Sequence, residues 1–264
     1  MTKNVLTFIP PGSIILMVIM TIKEGVTVHG TLEDSRVCVT VDLLILTVRD
    51  GALTLLLLRR KEAPFKGQWA LPGRFIAQEE TAEASISRLL SELLPADGAF
   101  FEQLYTFSDV SRDPRGRVIS ISYLVIVPFG KLVPLLTKEG FPFRCFRIFL
   151  NKEGLRLISD EEELTQVVLA FDHGRIIETG LKRLRGKIDY TDIGFRFLET
   201  TQTFSLSELQ TVFEAVLGEK LDSSNFRRTI LNRYEKTGRL QQTDQWEKQP
   251  RGRPAALYRM KTDT

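Results

Sequence analysis

From Val37 to Thr47 polar and apolar positions alternate and then run apolar, the pattern of a buried strand. Asp50-Gly51 is a hairpin signal, and Ala52 to Leu58 is the returning strand, closed by Arg59-Arg60-Lys61. Pro64, Gly67, Pro72 and Gly73 mark Ala63 to Gly73 as a loop. The spacing predicts a helix from about Thr81 to Leu94, stopped by Pro95. Phe101 to Ser108 and Val118 to Val127 read as two more strands. Between them lies the polar turn Ser111-Arg112-Asp113-Pro114-Arg115-Gly116-Arg117. Strands surrounding a helix predict an α/β sandwich of the α+β class. Lys131 to Leu150, rich in Phe and Pro, follows no clear period and reads as an insertion.

A different plan begins near Phe171-Asp172-His173. Gly174 to Arg185 is a first helical pattern. Ser205 and Glu208 have capping-box spacing and open a second, with Leu206, Leu209, Val212, Phe213, Val216 and Leu217 on one face. Gly218 ends it. After a short turn, Asp222 or Ser223 is the N-cap of a third helix held inward by Phe226, Ile230 and Leu231. Ser224, Asn225, Arg227, Arg228 and Arg233 supply its polar side chains. Leu240 to Met260 then predicts a hairpin carrying Arg251-Gly252-Arg253-Pro254. Helix, tight turn, helix and basic hairpin is the plan of a winged helix-turn-helix. Asn can pair with adenine and Arg with guanine, and the hairpin arginines can meet phosphates. The DNA-contact candidates are therefore those five helix residues with Arg251 and Arg253. A protein-interaction module or capping subdomain would share the pattern.

Charge sharpens this division. The chain has 264 residues, enough for one large or two ordinary domains, with 36 Lys and Arg against 33 Asp and Glu. Gly180 to Thr264 holds 16 of the basic and 11 of the acidic residues, so the rear is basic and the front slightly acidic. Two cysteines, Cys38 and Cys145, lack any metal spacing and suit a reducing cytoplasm. The apolar run Ile14 to Met20 is too short for a membrane helix, and no small-residue cleavage site follows it. The expected organisation is a disordered extension over 1–36, a sandwich domain over 37–170 and a DNA-binding domain over 171–264.

Gly73 to Ala96 resembles the Nudix box, preceded by the usual lead-in Phe65 to Gly73. Glu79 lies at the family distance from Gly73, but Arg88 fits only when counted from Glu80, so one residue is inserted. The metal-binding glutamates of the box would then fall at positions 89, 92 and 93, on one helical face. Such a cluster holds Mg²⁺ through carboxylate oxygens. Here the residues are Leu89, Glu92 and Leu93, and Pro95 replaces the closing glycine. One carboxylate of three remains, so neither hydrolysis nor a metal or other cofactor is expected. Glu79, Glu80 and Glu83 are the only nearby substitutes. A pocket can outlive the chemistry. Phe65 and Trp69 could stack a base or belong to the core, and Arg112 and Arg117 could pair phosphates or cap a solvated hairpin. His173 could be a hydrogen-bonded junction residue or a signalling one.

Both halves together resemble the Nudix-related transcriptional regulators of NAD metabolism, the NrtR type. The stretches that carry this are Phe65 to Gly73, Ser111 to Arg117, Phe171-Asp172-His173, Leu181 to Lys187, Phe204 to Gln210, Asn225 to Arg228 and Gly252 to Ala255. The resemblance implies a sandwich of Nudix type followed by a winged helix. It implies a ligand-responsive repressor of NAD biosynthesis and salvage genes that senses ADP-ribose or a related NAD derivative. It implies a homodimer on a palindromic double-stranded operator. The ligand candidates are Phe65, Trp69, Arg74, Arg88, Glu92, Arg112, Asp113 and Arg117. Arg74 stands where the family usually has a second glycine. An active ADP-ribose pyrophosphatase with an added domain, and a sugar-responsive regulator of the same architecture, are the alternatives.

Overall fold

The computed structural model describes residues 37–94, 99–138, 140, 143–160, 163–164, 169–247 and 254–261. Strand β1 (Cys38–Arg49) and strand β2 (Ala52–Arg59) form the expected hairpin. Asp50 and Gly51 both have positive φ, 51° and 71°, the mirror-image turn whose twist matches that of paired strands. Short β3 (Trp69–Ala70) pairs with β2, and β4 (Gly73–Phe75) pairs with β1. Helix α1 (Ala82–Leu93) follows, its N-terminus capped by Thr81, which accepts the Ala84 N–H at 3.1 Å. Strands β5 (Phe100–Phe107) and β6 (Val118–Ile126) form an antiparallel pair, and β6 runs parallel to β1. Pro95 and the proposed helix stop there lie outside the described residues.

The stretch 131–150 is a correction to the sequence reading. It belongs to helix α2 (Phe129–Leu136) and strand β7 (Phe143–Asn151), which pairs with β2 and with β8 (Gly154–Ile158). Pro134 inside α2 and the strand's half-exposed face hide both periods. With β9 (Glu163–Leu164) the sheet order is β5-β6-β1-β2-β7-β8-β9.

Both faces of β1 are covered, which explains its apolar run. Val41, Leu43 and Ile45 pack with Ile86, Leu89 and Leu90 of α1 and Leu132 of α2. Leu44 and Leu46 face the other way, into a core with Ile176, Ile177, Leu181 and Leu184 of helix α3 (His173–Ile188). A Cβ on Gly180 would lie 2.1 Å from the Leu44 Cδ2 atom, so only glycine lets α3 approach the sheet this closely.

After α3, a 3₁₀ turn (Asp192–Phe197) and β10 (Phe204–Ser205) lead to α4 (Leu206–Leu217) and α5 (Ser223–Ile230). The capping box is formed as expected. Ser205 Oγ accepts the Glu208 N–H at 3.2 Å, and the Glu208 carboxylate accepts the Ser205 N–H at 2.6 Å. Gly218 closes α4 at φ 79°, and Asp222 caps α5 by accepting the Asn225 N–H at 2.8 Å. Strands β11 (Leu240–Glu247) and β12 (Ala255–Met260) make the hairpin, and the small sheet has the order β10-β12-β11.

The apolar core does not stop between the two parts. Leu55 and Leu57 of β2 belong to the same cluster as Leu209, Phe213 and Val216 of α4 and Phe226 and Ile230 of α5. Helix α3 is tied to both sides. Lys187 Nζ lies 2.6 Å from the Glu102 carboxylate on β5, and Arg185 Nε donates to the Val216 carbonyl at 2.9 Å. Among the described residues, no helix is long and apolar enough to cross a membrane.

Candidate ligand cavity and nucleic-acid surface

A cleft of about 200 Å³ opens where β1, β4, the 111–117 turn and the start of α3 meet. One lining residue is Asp42, a buried acidic residue of β1. Asp42 accepts Ser120 Oγ at 2.6 Å and Arg112 Nη2 at 3.3 Å. Arg112 also clamps Asp172, with Nε at 3.1 Å and Nη2 at 2.8 Å from its two oxygens. All three side chains are buried or nearly so, the guanidinium at 3% exposure. A buried guanidinium needs such paired hydrogen bonds to offset its desolvation. Arg112 is thus not a solvated hairpin tip. It ties strand β1 to the residue that precedes α3.

His173 is the first residue of α3 and lies beside this pair. Its Nδ1 accepts the Leu71 backbone N–H at 2.9 Å, so the ring proton sits on Nε2, which lies 3.8 Å from Asp42. Burial pushes the His173 pKa below its ordinary value, against the pull of the Asp42 and Asp172 charges. The ring is therefore a hydrogen-bonded junction residue in its neutral form. Gly73 closes the floor. A Cβ there would lie 2.2 Å from Asp42 Oδ1 and 2.8 Å from the Val41 carbonyl, so the box's first glycine makes room for the carboxylate.

The cleft rim is cationic and aromatic. Arg115 donates to Asp113 at 3.0 and 2.7 Å. Burial works against the Asp113 charge, but the Arg115 side chain and backbone N–H outweigh it and hold the carboxyl below its usual range. Burial, and then the like charge of Arg115, lower the pKa of Arg60. Arg74 Nη1 reaches Glu92 at 3.0 Å, while its Nε is buried with no hydrogen-bond partner. Phe75 is 44% exposed under the Arg115 guanidinium, at 5.1 Å. Phe171, at φ 55°, lies 4.8 Å from the Arg60 guanidinium carbon and stacks edge-on with Phe65, itself at φ 64°. Left-handed backbone at two bulky residues is strained, at about 1–3 kcal/mol each, and such strain clusters at binding sites.

Of the sequence candidates, Arg74, Arg112 and Asp113 line the cleft. Phe65 supports it from behind Phe171. Trp69 does not face it. Its ring is 7% exposed, edge-on to Phe146 at 5.0 Å, with the Arg59 and Arg144 guanidinia over it, so it is core. Arg117 holds the hairpin by donating to the Ser108 carbonyl at 2.8 Å. Arg88 grips Glu80 with two bonds of 2.9 and 2.8 Å, which fixes the one-residue insertion and lowers the Glu80 pKa. Sequence reasoning missed Thr40, Asp42, Arg60, Phe75 and Arg115. Asp42 sits on a polar position of the alternating start of β1, so the pattern alone did not single it out.

The metal that the box implies does not fit these side chains. Leu89 is 8% exposed within the core, and Leu93 packs on the same cluster. Glu92 and Glu80 are each held by an arginine. Among the described residues, no group of three or more His, Cys, Asp or Glu could hold a metal ion.

On the rear part, Ser224, Asn225, Arg227 and Arg228 are exposed on α5, and Arg233 is half-buried on the π turn (Leu231–Glu235) that prolongs it. Arg228 donates to Asn225 Oδ1 at 2.9 Å, and Arg227 donates to the Tyr258 hydroxyl at 2.9 Å. Arg251 and Arg253 lie outside the described residues.

Comparisons with known proteins agree for both parts. Residues 194–260 match the model of the NrtR DNA-binding winged helix domain. The chain is 31% identical over 222 residues to an ADPR responsive transcriptional repressor of Acinetobacter baylyi, covering 83% of this chain and 80% of that one. It is 34% identical over 132 residues to an ADP-ribose pyrophosphatase of Methanocaldococcus jannaschii, covering 50% of this chain and 68% of that enzyme. The structure of Shewanella oneidensis NrtR complexed with a 27mer DNA superposes with a TM-score of 0.69 at 32% identity, over 84% of this chain and 93% of that one.

Proposed function

The chain belongs to the NrtR family, a Nudix-type sandwich with a C-terminal winged helix, and we propose that it is a transcriptional repressor released from its operator by ADP-ribose or a related NAD derivative. One observation carries this. His173, which lines the cleft, is also the first residue of α3, the helix against which the winged helix packs. A ligand acts at a distance only by preferring one of two arrangements, and here cleft and DNA-binding part share one rigid element.

The cleft chemistry suits a nucleoside diphosphate sugar. The Arg115 charge acts on Arg60 more strongly than the Asp113 charge that offsets it, which favours an added anion, and Arg74 has a buried donor to offer. Phe75 and Phe171 offer aromatic faces in place of Trp69. The Nudix box serves packing rather than hydrolysis, because Leu89 is core, Leu93 packs against it, and the one remaining metal-position carboxylate, Glu92, is held by Arg74. We place the junction at α3, with ligand sensing before it and DNA binding after it. A single eight-residue recognition helix reads only a few base pairs, which favours a homodimer on a palindromic operator. On this reading the regulated genes are those of NAD biosynthesis and salvage, and the protein acts in the cytoplasm.

Fluorescence anisotropy tests this on the full chain at fixed physiological salt, with duplex from upstream of its own gene and a scrambled duplex. Selective binding that ADP-ribose weakens is expected. Equal binding to both duplexes, unchanged by ADP-ribose, would refute it.

A further inference from the structure

Resting on the DNA-binding reading, we propose that Tyr258, a buried residue of β12, positions Arg227 of α5 as a phosphate clamp at the seam between recognition helix and wing. Arg227 Nη2 donates to the Tyr258 hydroxyl at 2.9 Å, and its guanidinium carbon is 5.9 Å from the ring centre. The same hydroxyl donates to Gln242 Oε1 on β11 at 3.4 Å. Tyr258 stands opposite Phe204 and Gln242 in the small sheet and is 1% exposed, so its ring cannot turn away. The hydroxyl thus has one acceptor and one donor role, and the sheet fixes both.

The neighbouring arginine contrasts with this. Among the described residues Arg228 bonds to Asn225, one turn back on its own helix, and both are exposed near the N-terminus, where base edges are read. Arg227 is exposed too, but its fork is anchored to a different element. An anchored guanidinium cannot follow a base edge. It can present a fixed fork to a phosphate and set the angle between helix and wing. Tyr258 itself need not touch DNA. Its effect is to remove rotamer freedom from Arg227 before binding, and one such side chain ordered in advance is worth a few-fold in affinity.

The test is a double-mutant cycle on the full chain, read by anisotropy on operator and scrambled duplexes across a salt series. Tyr258→Phe keeps the ring and is expected to weaken both duplexes by the same factor, about threefold to tenfold. Arg227→Ala is expected to lower the salt slope by about one. In the Arg227→Ala background, Tyr258→Phe should then change nothing. Gln242→Ala, an exposed change, should act in the same direction as Tyr258→Phe and guards against a folding artefact. An equal Tyr258→Phe effect in both backgrounds, or a loss confined to the operator, would overturn the proposal. Failure of the unmutated chain to bind any duplex would instead remove the DNA-binding reading on which it rests.

Discussion

Arg112 clamps Asp172 through two hydrogen bonds of 3.1 and 2.8 Å, joining residues 60 positions apart in the sequence. Because Arg112 also reaches Asp42, two carboxylates share one guanidinium, one on the central strand and one at the head of the helix that carries the winged helix. In the proposed mechanism an anion entering the cleft beside Arg112 would change the balance of that pairing, and α3 would be the element that responds.

Breaking this clamp from the basic side should be costly. Arg112→Met leaves Asp42 and Asp172 without their shared counter-charge in a buried setting. The expected loss is about 3–5 kcal/mol of stability, read from urea denaturation midpoints. A loss below 1 kcal/mol would show that the clamp is solvated.

The His173 ring gives the fold a pH dependence of known sign. Its folded pKa lies below the ordinary value of 6.5, so its contribution is complete above about pH 6.5. As the pH falls from there towards the folded pKa, the unfolded chain takes up the proton first and stability is lost, by up to about 1.4 kcal/mol per pH unit. His173→Asn keeps an acceptor for the Leu71 N–H and cannot titrate. Its denaturation midpoint should fall less between pH 7 and 5.5 than that of the unmutated chain.

Hydrolysis is expected to be absent. Incubation with ADP-ribose and Mg²⁺ should release no AMP, and Leu89→Glu should not restore release. Position 89 is core, so the new carboxylate would be buried without a partner and destabilise the fold by several kcal/mol. AMP released by the unmutated chain would restore the enzyme alternative.

The exposed pair on α5 should read sequence. Arg228→Ala is expected to cost about 1–3 kcal/mol on the operator and much less on a scrambled duplex, measured by competition anisotropy. A uniform loss would make Arg228 a backbone contact.

Much of the fold is legible in the sequence because its signals are local. The Asp50-Gly51 turn, the Ser205–Glu208 box and Gly218 each act over a few residues, and each appears where its pattern places it. Helix α2 and strand β7 escaped because Pro134 and a two-sided environment blur the period. The cleft was only partly legible. Its parts come from β1, β4, the 111–117 turn and the start of α3, and Arg112 finds its partners 60 and 70 residues away. No spacing rule reaches that far. Leu89 and Leu93 could be read directly, since a missing carboxylate is a local fact.

The most direct test of the coupling is the operator dissociation constant with and without saturating ADP-ribose, in the unmutated chain and in Asp172→Asn. The substitution keeps the shape of the clamp and removes its charge. The account predicts that ADP-ribose weakens operator binding by the unmutated chain severalfold or more, while Asp172→Asn binds both ligands with little mutual effect. The same ADP-ribose effect in both proteins, or none in the unmutated chain, would contradict it.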